Sequence, residues 1–389
     1  MQTPLEEFLA DRGRPTPFLV LDPLVVARRY AELAAAFPGA DILYAVKACP
    51  HPAVLRVLVD AGAGFDAASP AEVDLCLDAG ADVGRICAGN PVRGAAATAA
   101  CHAAGVRRFV TDSVDDLDEI ALHAPGAEVL VRVLVDDSGS ATPFFGKFGA
   151  TPAVAADLLR GCAARGLVAT GVTFHAGSQQ TRPATYAAGT AAALTVARAA
   201  GLDRPVLDIG GGLPVAYRCG VPSFAAFAAA VAGQGLEDVR LVLEPGRALV
   251  AEAGVLRTSV LRVSRRPGID HRRWVYLDAG RYQGLAETEN EAIEYPLRVP
   301  GRAGPAGPVV VAGPTCDGDD VLYRRAAYAL PLSLRAGDHV DLLHAGAYTA
   351  SYASVGFNGF APLPVHVVPG TDRRVARSPT VARAAHGRR

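Results

Sequence analysis

The 389-residue chain has almost no excess of either charge: 38 lysines and arginines face 39 aspartates and glutamates, for a formal net charge of -1. Without a strong field it is not built for polyanions, and no nucleic-acid partner is expected. It also lacks any uncharged apolar run near the eighteen or so residues of a membrane span. Its opening stretch, MQTPLEEFLADRGRPTP, is acidic and broken by prolines rather than organised like a signal peptide. A cytoplasmic protein with no membrane partner is therefore expected. The seven cysteines are odd in number and show no CxxC spacing, which argues against a disulfide framework or a zinc site. They read as mostly reduced core thiols, and no metal is expected. An internal repeat, a Ser/Gly-rich linker and the dinucleotide fingerprint GxGxxG are missing too.

What is present is ordinary globular material, 50% hydrophobic and 20% charged, in a chain about twice the usual domain size. From about residue 40 to 250, short β-branched runs alternate with Ala/Leu-rich stretches, the pattern of βα units around a parallel sheet. The runs are ILYAV, GFDAAS, RICAG, RFVTD, VLVRVLV, GVTFHAGS, VLDIGGG and RLVLEPG. Their number, eight, closes a barrel. Intervening segments such as PAVLRVLVDAG, PAEVDLCLDAG and TPAVAADLLRGCAARG carry apolar residues at helical spacing and end on glycine. After residue 250 the runs VLRTSVLRV, RWVYLD, GPVVVAG and HVDLLHAGAY, parted by turn residues, predict an antiparallel β domain, into which the early run PFLVLD could pair. The expected division is a barrel over 26–262 and a β domain over 1–25 with 263–389. The basic, apolar-poor tail GTDRRVARSPTVARAAHGRR reads as a frayed terminus.

Polar or special residues stand where each barrel strand ends: Lys47, Asp66, Asn90, Asp112, Arg132, His175, the run Gly210 to Gly212, and Glu244. In a (β/α)8 barrel that end carries the active site. The three glycines of DIGGG allow backbone N–H groups to approach an anion, and Pro214 and Tyr217 follow where a dinucleotide loop would place its last glycine, so a small phosphate suits the loop better. EPGR, Glu244 to Arg247, supplies a carboxylate, a rigid bend and a guanidinium after the eighth strand. A lysine, a ring, a phosphate loop and a carboxylate around one mouth match the needs of pyridoxal 5'-phosphate.

The order of YAVKA, FDAASPAEV, DDSGSATPFFGKFGAT, FHAGS, LDIGGGLP, EPGRALV, GPTCDGDDVL and GAYTASYASVGFNGF resembles the ornithine/diaminopimelate/arginine decarboxylase family of fold-type III pyridoxal-phosphate enzymes, and its ornithine branch most closely. The resemblance covers nearly the whole chain except its ends. It implies an alanine-racemase-like (β/α)8 TIM-type barrel with a C-terminal antiparallel β domain. Lys47 would be the Schiff-base lysine, His175 would stack on the cofactor ring, and Glu244 would pair with the pyridine nitrogen. Ser178, Gly211, Gly212, Gly246, Arg247 and Tyr348 would bind the phosphate, with Asp66 and Arg132 near the lysine and ring. Cys316 would reach into the neighbouring subunit of a homodimer and reprotonate the substrate carbon after CO2 leaves; a thiol suits the step, holding its proton near neutrality yet releasing it readily.

Within that resemblance, Asp317 is the candidate for the distal ammonium of an ornithine- or lysine-type substrate, since CDG matches the diamine-forming branch. After YLDAG the chain departs from the eukaryotic ornithine enzymes and carries Glu287, Glu289, Glu291 and Glu294. As a set these read as a solvated helix face, with Glu287 or Glu289 a further candidate for the substrate pocket. Ornithine, lysine, diaminopimelate, a D-amino acid and a specialised biosynthetic conjugate stay open. A non-catalytic regulatory homologue or an amino-acid racemase fits less well, because Lys47, His175, Glu244, Cys316 and Tyr348 are all present and no arginine takes the place of Glu244.

Overall fold

A computed structural model describes residues 4–368 except Arg12 and Phe145. The basic tail expected to fray lies outside the described residues. Eight parallel strands close a barrel in the order Asp41–Ala45, Gly64–Ala67, Ile86–Ala88, Arg108–Thr111, Glu128–Arg132, Val168–Thr173, Val206–Asp208 and Arg240–Leu243, the last pairing with the first. All eight expected runs are the barrel strands. Helices between them start as the sequence directs. Ser69 caps Pro70–Asp78 by accepting from the Glu72 N–H, and the Glu72 carboxylate accepts from the Ala68 N–H at 2.7 Å.

Side chains alternate along a strand, so one parity faces the barrel axis. Leu43, Cys87, Val110, Leu130, Val206 and Val242 form a separate buried cluster there, whereas neighbours such as Ile42, Tyr44, Phe109 and Val129 join the larger core under the helices. Two residues further along the same inward parity stand Asp112 after Val110, Arg132 after Leu130, Asp208 after Val206 and Glu244 after Val242. The strands thus carry an apolar plug topped by a polar rim.

The second sheet has eight strands, centred on the long strand Gly254–Arg266. The early run is strand Phe18–Leu21 and pairs antiparallel with that central strand, as does His339–Leu343. Two pairings depart from the antiparallel pattern: Asp270–Leu277 with Ala306–Ala312, and Phe18–Leu21 with Val365–Val367. The expected boundaries fall inside the helix Pro23–Ala36 and the strand Gly254–Arg266. We propose Asp22 and Ala253 as the junctions, because that helix packs on barrel helices and that strand lies wholly in the sheet. Five cysteines, Cys49, Cys76, Cys87, Cys101 and Cys162, are buried free thiols, and Cys219 and Cys316 are exposed. Among the described residues no helix is long and apolar enough to cross a membrane.

One ion pair holds the sheet to the N-terminal segment. Arg257 and Asp341, on paired strands, are both fully buried and bond in two-pronged fashion at 2.7 and 3.0 Å. Arg257 also donates to the Leu9 carbonyl, and Arg298 donates to Asp341 at 2.9 Å. Removing one partner strands a buried charge, so Asp341→Ala should cost about 3–5 kcal/mol of stability in urea unfolding; a loss below about 1 kcal/mol would show the pair to be dispensable.

Candidate active site

At the C-terminal rim of the barrel one cavity of about 430 Å³ brings together Lys47, Asp66, Arg132, His175, Ser178, Gly212, Glu244, Gly246, Arg247, Glu287 and Tyr348. Its size is that of a small-molecule site. Lys47 sits in a single 3-10 turn, Val46–Ala48, directly after the first barrel strand. Its ammonium lies 3.6 Å from an Asp66 carboxylate oxygen and opens into the cavity, leaving the side chain 51% exposed. Burial works to lower the lysine pKa, but the charges of Asp66, Tyr348 and Glu244 outweigh it and hold the ammonium above its ordinary range.

His175 follows the strand Val168–Thr173, and its Nδ1 accepts from the Gly177 N–H at 3.1 Å, which fixes the ring. Burial, then the cations Arg132 and Lys47, push its pKa well below the usual histidine value, so the ring is neutral. Glu244 is driven the other way. Burial first, then the charges of Asp208 and Asp66, raise it well above its ordinary carboxylate value. Asp208 is raised as well, chiefly by burial, and accepts from the Gly210 N–H at 2.8 Å.

The glycine run is tightly seated. A Cβ on Gly212 would lie 2.0 Å from the Gly177 carbonyl oxygen, and one on Gly211 2.4 Å from that of Glu244. Only glycine lets this loop thread between neighbouring strand ends. Beside it Arg247, 4% exposed, opens a short helix and reaches Ser178 at 3.3 Å, with the Tyr348 ring 4.9 Å from its guanidinium carbon. Tyr348 comes from the sheet region, with a left-handed backbone at φ 54, and its N–H donates to the Ala48 carbonyl at 2.8 Å. That bond ties it to the lysine turn.

The four glutamates are not a solvated helix face. Their segment is a broken 3-10 turn, with Glu289 and Asn290 out of helical geometry. Glu287 turns inward onto Arg247, Glu291 accepts from three backbone N–H groups of residues 324–326, and Glu294 pairs with Arg218. Glu289 is exposed, pairs with Arg281 and does not line the cavity. Cys316 and Asp317 are likewise exposed and outside it. The Cys316 sulfur lies 3.7 Å from the Asn358 side-chain oxygen, and Asp317 accepts from the Tyr282 hydroxyl at 2.9 Å. Sequence reasoning passed over Phe144 and Phe148, whose rings flank the Arg132 guanidinium at 5.2 and 4.9 Å, with Phe144 also edge-on to His175 at 4.8 Å. The aromatic run FFGKF was the available signal.

The donor set fits the phosphorylated pyridine aldehyde expected above. Glu244 Oε1, Asp66 Oδ1 and Arg247 Nε are buried with no partner among the described residues, and the glycine loop leaves room where side chains would intrude. They are two carboxyl oxygens and a cationic donor, suited to a ligand that carries both donors and acceptors. Comparison with known proteins agrees. Residues 25–251 match the pyridoxal-binding domain of the pyridoxal-dependent decarboxylases. The lysine/ornithine decarboxylase of Selenomonas ruminantium is 35% identical over 374 residues, spanning 93% of this chain and 92% of its own. Among solved structures, SrLDC in complex with pyridoxal phosphate and cadaverine superposes with a TM-score of 0.83 at 33% identity, covering 94% of each chain. The lysine/ornithine decarboxylase of Vibrio vulnificus complexed with putrescine gives 0.82 at 32% identity, over 93% of this chain and 96% of its own. With a lysine, a neutral histidine, a buried carboxyl of raised pKa and a glycine loop at one rim, on a chain matched along this length, the protein belongs to the family of pyridoxal-dependent decarboxylases, enzymes that work with pyridoxal 5'-phosphate.

Proposed function

We propose that the protein decarboxylates a basic amino acid of the ornithine or lysine type to the corresponding diamine. The observation that carries this reading is the convergence of Lys47, His175, Glu244 and Arg247 on one cavity, with relatives named for lysine and ornithine decarboxylation over nearly the full chain. Pyridoxal phosphate, when bound, supplies an aldehyde for amines and an electron-withdrawing ring that accepts the electron pair left as CO2 departs. In this reading Lys47 is the Schiff-base lysine. Glu244, whose carboxyl has its proton affinity raised by burial, would hold the pyridine nitrogen and keep the ring protonated. His175, neutral, would pack on the ring without opposing that charge. Ser178, the glycines to Gly212, Gly246, Arg247 and Tyr348 form the phosphate cradle, and Asp66 and Arg132 set the charge around the lysine.

For the proton returned to the product carbon, this reading looks to a second copy of the chain. Cys316 and Asp317 are displayed on the exposed surface of the sheet region, which supports their entering the cavity of a second copy across a two-fold homodimer. There Cys316 returns the proton, and Asp317 meets the distal ammonium in a charge-assisted contact. Such an enzyme needs neither nucleic acid nor membrane, and a cytoplasmic site of action accords with its free thiols.

Three outcomes are expected. Offered L- and D-ornithine, L-lysine, L-arginine and meso-diaminopimelate, the purified enzyme should release CO2 and diamine fastest from L-ornithine or L-lysine; inactivity on both would defeat the substrate reading. Pyridoxal phosphate added to apoprotein should develop a band near 420 nm that is absent in Lys47→Ala. Because the lysine amine must be neutral to attack and its pKa is raised, the rate of band formation should climb about tenfold per pH unit from 7 to 9, and Asp66→Asn should quicken it at pH 7; a flat profile contradicts this assignment. Mixing Lys47→Ala and Cys316→Ala subunits should restore about a quarter of wild-type activity through heterodimers with one intact site, whereas no recovery rules out a shared site.

A further inference from the structure

Glu287 is left without a role by this mechanism. It is a carboxylate within a phosphate cradle, where a second anion is unwelcome unless its charge is already spoken for. Both of its oxygens are engaged with Arg247, one accepting from Nη1 at 2.7 Å and the other from Nη2. The pair is almost sealed, with side chains 12% and 4% exposed.

A guanidinium has five N–H groups in one plane, so its approaches can be counted. On Arg247, Nη1 also donates to the Tyr217 hydroxyl at 3.0 Å, and Nη2 also to Ser178 at 3.3 Å. One flat face meets the Tyr348 ring. The end formed by Nη1 and Nη2 is therefore filled by Glu287. The adjoining edge, formed by Nε and the second hydrogen of Nη2, points the way of Ser178, and its Nε is buried without a partner. A two-pronged carboxylate on the end dictates the rotation of the whole group. Four of the five hydrogens are thus engaged, and a phosphate is met first by the remaining Nε–H, beside Ser178 and the glycine loop.

We propose that Glu287 is a positioning residue for the cofactor phosphate: by gripping the end of the Arg247 guanidinium it turns the Nε edge toward the phosphate, and it does not contact the substrate amine. The proposal rests on the reading of this cavity as the pyridoxal phosphate site. It has a clear opposite, in which Glu287 occupies the place of the phosphate and must be expelled from it.

The test measures the preference for a phosphorylated ligand. Wild type, Glu287→Gln and Glu287→Ala are titrated with pyridoxamine 5'-phosphate and with pyridoxamine, neither of which has an aldehyde, and binding is followed by fluorescence and by the 31P resonance. In wild type the phosphorylated ligand should bind far more tightly. In Glu287→Ala that preference should fall by roughly tenfold or more, in line with loss of a charge-assisted bond, while pyridoxamine affinity stays unchanged. Glu287→Gln, which keeps one acceptor oxygen, should lie between them and serves alone if the alanine variant does not fold. An unchanged preference with a lowered melting temperature would make the pair merely structural and overturn the proposal. A raised preference would establish the competing role, and no preference in wild type would also refute it. Since no aldehyde takes part, failure of the Lys47 assignment would show in the 420 nm experiment and not here.

Discussion

The site depends on keeping one ammonium and several carboxyl groups together where water is scarce. Lys47 stands against Asp66, and Glu244 and Asp208 are both raised above the ordinary carboxylate values, chiefly by burial, with the charge of Asp208 adding to the shift of Glu244. In such a place every charge is set by its neighbours, and an unpaired polar atom costs about 1–3 kcal/mol. The buried orphans on Asp66, Glu244 and Arg247 are therefore a standing penalty that a ligand with matching polar groups would relieve. A ligand bound only by the folded state stabilises it by mass action, so the fold and its cofactor are energetically coupled.

That rim is only half a site without the sheet. The barrel supplies Lys47, His175, Glu244 and the glycine loop, while the sheet region supplies Tyr348 and Glu287. The two halves are locked at close range. A Cβ on Gly346 would lie 1.9 Å from the Val250 carbonyl oxygen, so sheet and barrel backbones touch just before Tyr348. Arg247 is gripped from both sides, by Ser178 and Tyr217 of the barrel and by Glu287 of the sheet region. The setting of Arg247 is thereby a product of how the two units dock, not of the glycine loop alone.

How much of this was legible in the sequence follows from the range of the forces involved. The eight barrel strands and their inward parity are local facts, written in two-residue alternation, and so Lys47, His175, Glu244 and Arg247 could be placed at one rim. The partner of Glu287 could not, because it lies 40 residues away across two units and no periodicity links them. The same holds for the parallel pairing of Val365–Val367 with Phe18–Leu21, a contact between the two ends of the described chain. The four glutamates looked like a helix face because charge spacing was read without the positive-φ residues Asn290 and Glu291 that break the turn. Phe144 and Phe148 were hidden by their position in a loop, where no alternation marks an inward face.

The strand Phe18–Leu21 lies between the central strand of the second sheet and Val365–Val367, and the lysine turn receives its bond from Tyr348. An early segment must therefore wait for residues far along the chain before its pairing is complete. The barrel strands can close among themselves, but the mouth around Lys47 is finished only when the sheet has folded back onto it.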